Sequence, residues 1–263
     1  MTATVQLHRQ GQIATLSLNR PEQHNAFDAR LIAELDACLA EIESSGTRAL
    51  ILTGTGSTFS AGADLNWMRD MAKADEHANF EDALALARCL RRLNDLPMPT
   101  IARVNGSAYG GGVGLISCCD IAVAVDSAKF TLSEVKLGLV PAVISPYVIA
   151  AIGQRQARRY FMSAEIIDAT RAQEIGLVHE CVPASQLDAC IERIVHWLGK
   201  AGPIALQHAK QLISAASHAA TDLQKENQDK DNARLIARLR VSKEGQEGLA
   251  AFLDKRPANW ISP

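Results

Sequence analysis

The stretch Asn105-Gly106-Ser107-Ala108-Tyr109-Gly110-Gly111-Gly112-Val113-Gly114-Leu115 is the most unusual in this chain of 263 residues. A buried strand that turns through three glycines into an apolar helix leaves the first helical N–H groups uncovered by side chains. Such a terminus, with its partial positive charge, suits a developing oxyanion, although three glycines are equally a close-packing device. Nucleotide readings fail on spacing. A dinucleotide fingerprint counted from Gly110 needs glycine where Leu115 stands, and a P-loop counted from Gly106 needs its lysine where Gly112 stands. A second small-residue loop, Phe59-Ser60-Ala61-Gly62-Ala63-Asp64-Leu65, follows another buried strand and precedes a helix. Two such loops at the carboxyl ends of strands outline a ligand crevice in an α/β sheet.

Other chemistry-bearing residues read more plainly. The six cysteines, at 38, 89, 118, 119, 181 and 190, form no CxxC pair, and no HExxH spacing exists for zinc. Cys118 and Cys119 lie in an apolar stretch and read as buried free thiols. The seven histidines are scattered; His179, after the apolar run Ile175 to Val178, reads as a satisfied core or edge side chain. Asp120 opens a buried strand and reads as a partner for nearby amides. Ser133-x-x-Lys136 matches a serine-acylase pattern whose other motifs are missing. Glu134, two residues before Lys136, reads on spacing alone as half of a solvated ion pair.

The elements that must position these loops follow from periodicity. Val5 and Leu7, then Ile13, Leu16 and Leu18, flank Gln10-Gly11 as a hairpin that Pro21 stops. Leu31, Leu35, Leu39 and Ile42 mark a helix over Ala26 to Glu43, and Ala49 to Leu52 is a short buried strand. A helix over Glu76 to Asp95 ends before Pro97 and Pro99. Thr100 to Val104 and Asp120 to Val125 are buried strands, and Ala128 to Leu132 is another. Strands and helices alternate to about residue 180, an α/β core. After Val182 only helical patterns remain: Gln186 to Leu198, Pro203 to Ala216, Leu223 to Leu239 and Lys243 to Leu253. The division expected is a core over 1–198 and a helical region over 199–263.

Composition excludes several classes. Apolar residues make up 48 % and charged ones 21 %, values of a folded globular chain. With 27 basic and 29 acidic side chains the net charge is −2, so broad electrostatic capture of nucleic acid or an anionic membrane is not expected. Lys230, Arg234, Arg238 and Arg240 sit on one helix, but Glu226, Asp229 and Asp231 interrupt them, a mixed solvated face rather than an RNA-binding one. No secretory h-region or membrane-length apolar run occurs, and free thiols fit a reducing compartment, so a cytoplasmic location is expected.

Several motifs in register resemble the enoyl-CoA hydratase/isomerase (crotonase) superfamily. They are Leu18-Asn19-Arg20-Pro21 with Asn25-Ala26, Ser60 to Leu65, Pro99 to Ala102 leading to Asn105-Gly106 and Gly110 to Gly112, and Cys119-Asp120-Ile121. Ala169 to Val178 and Phe252-Leu253-Asp254-Lys255-Arg256 extend the likeness over nearly the whole chain. Within the family, Ala63 to Met68 and Pro141 to Tyr147 look most like bacterial methylglutaconyl-CoA hydratases. The resemblance implies a ββα superhelix with a C-terminal helical trimerisation region, an acyl-CoA substrate, and a homotrimer or dimer of trimers. No separate cofactor is implied, because CoA is part of the substrate.

The same resemblance implies that the N–H groups of Ala63 and Gly111 hold the thioester oxygen and that Glu134 is the acid–base group. Ala61, Asp64 and Leu65 would lie near the CoA adenine, with Gly110 and Gly114 along the substrate. Lys255, and with it Arg256, would meet the CoA phosphates from this chain or a neighbouring subunit, or else form a solvated charge pair. Trp67 and Met68 either line the acyl pocket or merely pack. Many family hydratases carry a further glutamate where this chain has Gly114, an apparent opening beside Glu134 that would suit an anionic acyl chain. One carboxylate serves either chemistry; the local resemblance implies a hydratase that adds water across the 2,3 double bond, with a Δ3-Δ2-enoyl-CoA isomerase using Glu134 as sole acid–base group as the alternative.

Overall fold

A computed structural model describes residues 2–216 and 222–261. The chain opens with strands β1 (Val5–Gln10) and β2 (Ile13–Leu18), an antiparallel hairpin turned at Gly11, whose φ is +58°. In β2, inward Ala14, Leu16 and Leu18 alternate with outward residues, the two-residue period of a strand with one covered face. Helix α1 (Ala29–Glu43) follows and buries Leu31, Ile32, Leu35, Leu39 and Ile42. It starts later than the periodicity suggests, because Asp28 is its cap, accepting a hydrogen bond from the Leu31 N–H at 2.8 Å.

Three successive units then each place one strand in a first sheet and one in a second. The first is β3 (Ala49–Gly54), β4 (Thr58–Ser60), and helices α2 (Leu65–Met71) and α3 (Glu76–Asp95). The second is β5 (Thr100–Val104), β6 (Ser107–Tyr109) and α4 (Gly111–Cys118). The third is β7 (Ile121–Val125), β8 (Lys129–Thr131), a 3-10 turn over Glu134–Leu137 and helix α5 (Ser145–Ser163). Then come β9 (Ile167–Asp168), α6 (Ala169–Glu174), β10 (Glu180–Val182) and the helices α7 (Leu187–Gly199), α8 (Pro203–Ala216), α9 (Asp222–Val241) and α10 (Lys243–Leu253).

The first sheet runs β1-β2-β3-β5-β7-β10 and is parallel from β2 onward; the second runs β4-β6-β8-β9. Strands β3, β5 and β7 are near-continuous apolar runs, as strands covered on both faces must be. This is the mixed α/β ββα architecture with a helical C-terminal region that the sequence implies.

The chain divides into two compact units, Met1–Leu96 with Thr100–Glu192, and Pro97–Pro99 with Arg193–Pro263. The second is knit by Glu244, whose carboxylate accepts the Ile204 and Ala205 N–H groups at the start of α8, and by the Arg256–Glu247 ion pair at 2.7 Å. On α9, Lys230 pairs with Glu226 and Arg234 with Asp231, the mixed face expected. Among the described residues no helix is long and apolar enough to cross a membrane, and no cluster of metal-ligating side chains occurs.

Candidate active site

The first loop leaves β4 through Gly62, whose φ is +82°; a Cβ there would lie 2.9 Å from the Tyr109 carbonyl oxygen, so only glycine lets the two loops touch. Next, Phe27 and Ala63 form an isolated parallel bridge: the Phe27 N–H donates to Gly62 O at 2.6 Å and the Asp64 N–H to Phe27 O at 2.8 Å. With both flanking groups turned toward Phe27, the Ala63 N–H faces away and has no acceptor among the described residues. Asp64 caps α2, accepting from the Asn66 and Trp67 N–H groups at 2.8 and 3.3 Å and from the Arg20 guanidinium at 3.1 Å. Burial pushes its carboxyl up, but these donors outweigh burial and hold it below its usual range.

The second loop turns at Gly110, whose φ is +48°. Its N–H donates to Thr131 O at 2.9 Å and its carbonyl accepts from Val113 and Gly114 at 3.0 and 3.2 Å, which starts α4 at Gly111. The Gly111 N–H belongs to the open first turn and has no acceptor among the described residues. A Cβ on Gly111 would lie 2.6 Å from Phe27 Cε2, and one on Gly112 2.9 Å from Ser60 Cβ. The glycine run thus presses the positive end of a buried helix against the first loop.

Glu134 supplies the carboxylate. It opens the 3-10 turn after β8, and its Oε1 lies 3.0 Å from where a Cβ on Gly110 would stand. Its Oε2 is buried without a hydrogen-bond partner; among the described residues only Thr131 Oγ1 shares that condition. Burial pushes the Glu134 carboxyl up, its own N–H pulling the other way. Lys136 does not pair with it, donating instead to Ala164 O at 2.9 Å. The solvated Glu134–Lys136 pair suggested by spacing alone therefore does not form. Ala63, Gly111 and Glu134 each stand a few residues beyond a strand of the second sheet, β4, β6 and β8 in turn, so successive units of the superhelix deliver them to one neighbourhood.

Beside the first loop, Ala61, Ala63, Asp64 and Leu65, with His24 and Arg69, line a mainly apolar cavity of about 450 Å³. Leu65 is 71 % exposed there, a large apolar side chain held in the open. Lys255 belongs to the second unit, at φ +54° just beyond α10. Arg256 makes a two-point contact with Glu247 at 2.7 and 2.9 Å. Gly114 corrects an expectation. A Cβ there would lie 2.9 Å from Ile144 Cβ and still closer to Ile144 Cγ2, so the opening expected at this position is filled by a buried isoleucine.

Three residues sequence reasoning passed over shape the site: Arg20, Phe27 and Ile144. Arg20 lies in Leu18-Asn19-Arg20-Pro21, Phe27 directly follows Asn25-Ala26 and Ile144 lies in Pro141 to Tyr147, so a place in or beside a motif was their only signal. Trp67 donates its indole N–H to Asp82 at 3.2 Å. Asp120 accepts from the Thr100 N–H and hydroxyl, and His179 Nδ1 accepts from the Ala122 N–H, the structural roles expected of both.

Comparison with known proteins places this geometry among relatives. A family model described as enoyl-CoA hydratase/isomerase matches residues 8–263. The crystal structure of an enoyl-CoA hydratase from Shewanella pealeana superposes with a TM-score of 0.93 at 44 % identity, covering 98 % of this chain and 96 % of that one. Two Escherichia coli proteins are each 33 % identical over 259 residues. One is named 2,3-dehydroadipyl-CoA hydratase, with 96 % of both chains covered, and the other 1,2-epoxyphenylacetyl-CoA isomerase, with 95 % of both covered.

Proposed function

The chain belongs to the enoyl-CoA hydratase/isomerase family, and from that premise we propose that it is a hydratase that adds water across the 2,3 double bond of an acyl-CoA thioester. The observation that carries this reading is the half-buried Glu134 carboxylate, unpartnered at Oε2 and set against Gly110, beside two N–H groups without acceptors. The thioester oxygen accepts from the Ala63 and Gly111 N–H groups, which pulls electron density from C3. Glu134 takes a proton from water as its oxygen bonds to C3. The C2–C3 π electrons move into the thioester, giving an enolate held by the two donors. Glu134 then returns the proton to C2, so one carboxylate closes the cycle. A base raised toward the working pH is well matched to both halves of that transfer. CoA enters as part of the substrate, its nucleotide end in the Leu65 cavity; by the family resemblance Lys255, of this chain or of a neighbouring subunit, is a further candidate for its phosphates.

For the acyl group we infer a branched or carboxylated enoyl chain such as methylglutaconyl-CoA, as in leucine breakdown. Support comes from the local resemblance and from an E. coli relative whose name denotes a dicarboxylic enoyl-CoA. The isomerase reading is favoured by one observation, the single carboxylate, since shuttling a proton between two carbons needs no water. Mass analysis with paired 2-enoyl and 3-enoyl thioesters decides. Gain of one water supports hydration, whereas a moved double bond at unchanged mass would replace it with isomerisation. The assembly proposed is a homotrimer or a pair of trimers, supported by exposed apolar side chains on the C-terminal helices, among them Ile213, Val241, Phe252 and Leu253.

A further inference from the structure

Arg20 is not among the proposed reacting groups, yet its guanidinium is where the supports of both N–H donors meet. Nη1 donates to Ala26 O at 2.7 Å and pairs with Asp28 Oδ2 at 2.9 Å, while Nη2 pairs with Asp64 Oδ2 at 3.1 Å. The side chain is only 15 % exposed and that of Asp64 10 %. The Arg20 N–H is itself fixed by Asn25 Oδ1 at 2.9 Å, and Asn25 Nδ2 donates to the Thr55 and Thr58 carbonyls. Arg20 therefore ties together the caps of two helices, Asp28 for α1 and Asp64 for α2. Between Ala26 and Asp28 stands Phe27, whose backbone bridges Ala63 and whose ring backs Gly111.

We propose that Arg20 is a positioning residue that sets both donors of the oxyanion hole, the Ala63 N–H through Asp64 and the Gly111 N–H through Phe27. The proposal rests on the oxyanion-hole reading above. Removing the guanidinium leaves Asp28 and Asp64 as two carboxylates without their shared cation, and their repulsion moves the two segments apart. Displacement of a donor by about 0.5 Å is enough to weaken a preorganised site. Only a planar fork reaches all three acceptors at once, so lysine restores the charge but not the geometry.

The test is the infrared carbonyl frequency of bound butyryl-CoA labelled with carbon-13 at the thioester, a saturated probe that cannot be hydrated, together with kcat and KM for crotonyl-CoA. In the wild type the bound carbonyl absorbs below the free thioester, and in Glu134→Gln it stays there. In Arg20→Gln that displacement falls by about half or more and kcat by about tenfold or more, with KM within about threefold; Arg20→Lys recovers part of both. Far-ultraviolet circular dichroism confirms folding, and if Arg20→Gln does not fold, Asp64→Asn reads the same link. A folded Arg20→Gln, or Asp64→Asn in its place, with full displacement and full kcat overturns the proposal. A wild-type carbonyl that is not displaced at all overturns the oxyanion-hole reading itself, so the wild-type spectrum separates the two failures.

Discussion

Ile144 stands in the space that a side chain at position 114 would take, within 2.9 Å of its Cβ. The buried isoleucine comes from the loop before α5 and meets α4 one turn beyond Gly110, whose carbonyl accepts the Gly114 N–H. Gly114 is thus a packing requirement here. Gly114→Ala should destabilise by about 1–3 kcal/mol, the usual result of overpacking. Ile144→Ala should cost about 2–5 kcal/mol as a cavity. The double variant should be more stable than the sum of the two predicts, because each change relieves the other. Urea unfolding curves of the four proteins measure this coupling, and strict additivity would refute the contact.

Glu134→Gln keeps the side chain's shape but removes its basic lone pair. Turnover of crotonyl-CoA should fall by about 10²-fold or more while acyl-CoA binding, read by calorimetry, persists. Near-normal turnover in a folded variant would remove Glu134 from the mechanism.

The same substitution should act on stability in the opposite direction. Burial raises the Glu134 carboxyl in the folded state, so the folded protein binds its proton more tightly than the unfolded chain does. That favours folding at low pH and is lost as pH rises through the raised value. Glu134→Gln should therefore be more stable than wild type at neutral pH. The advantage should shrink to nothing below the ordinary carboxylate range of about 4. Unfolding midpoints measured from pH 3 to pH 8 report the crossover. The activity of the wild type should likewise rise with pH along a limb displaced upward from that range.

For Gly111, the informative comparison is between alanine and proline. Both add a Cβ that presses on Phe27, and only proline deletes the N–H. Proline at a first helical position is otherwise tolerated. If this N–H holds the thioester oxygen, kcat should be lower in Gly111→Pro than in Gly111→Ala by about 10²-fold. Equal rates would place the donor elsewhere.

Light scattering at micromolar concentration should return three or six times the monomer mass. Phe252→Glu, which sets a charge on a side chain 81 % exposed in the isolated chain, should lower it. A monomer mass for wild type would end the proposal of a trimer.

Much of the architecture was legible because it is written locally. The stripe of Leu31, Leu35, Leu39 and Ile42 gave α1, and the apolar runs gave β3, β5 and β7. The second sheet was legible only at β8, which lies within Ala128 to Leu132; β4 and β6 hold three residues each and β9 two, too few for a two-residue period to declare itself. The candidate site divided the same way. Motif positions singled out Ala63, Gly111 and Glu134, but what surrounds them arises from contacts between distant segments. Phe27 behind Gly111, Ile144 against Gly114 and Arg20 between Asp28 and Asp64 have no sequence period. Residue types also mislead where pairing decides: Lys255 and Arg256 look alike on paper, yet Arg256 is already bound to Glu247.

The spatial order of both sheets follows the order of the chain, β1-β2-β3-β5-β7-β10 in one and β4-β6-β8-β9 in the other. No strand has to be inserted between two neighbours made before it. A polypeptide leaving the ribosome can therefore dock each new strand on the last exposed edge, as thread is wound on a spool. Ala63, Gly111 and Glu134 all emerge in the first stretch of synthesis, with the edge of β7 still open until β10 is made. We predict that nascent chains arrested after successive strands gain protease resistance in steps, each step one turn of the coil. A single late jump in protection would instead mean that the coil closes only as a whole.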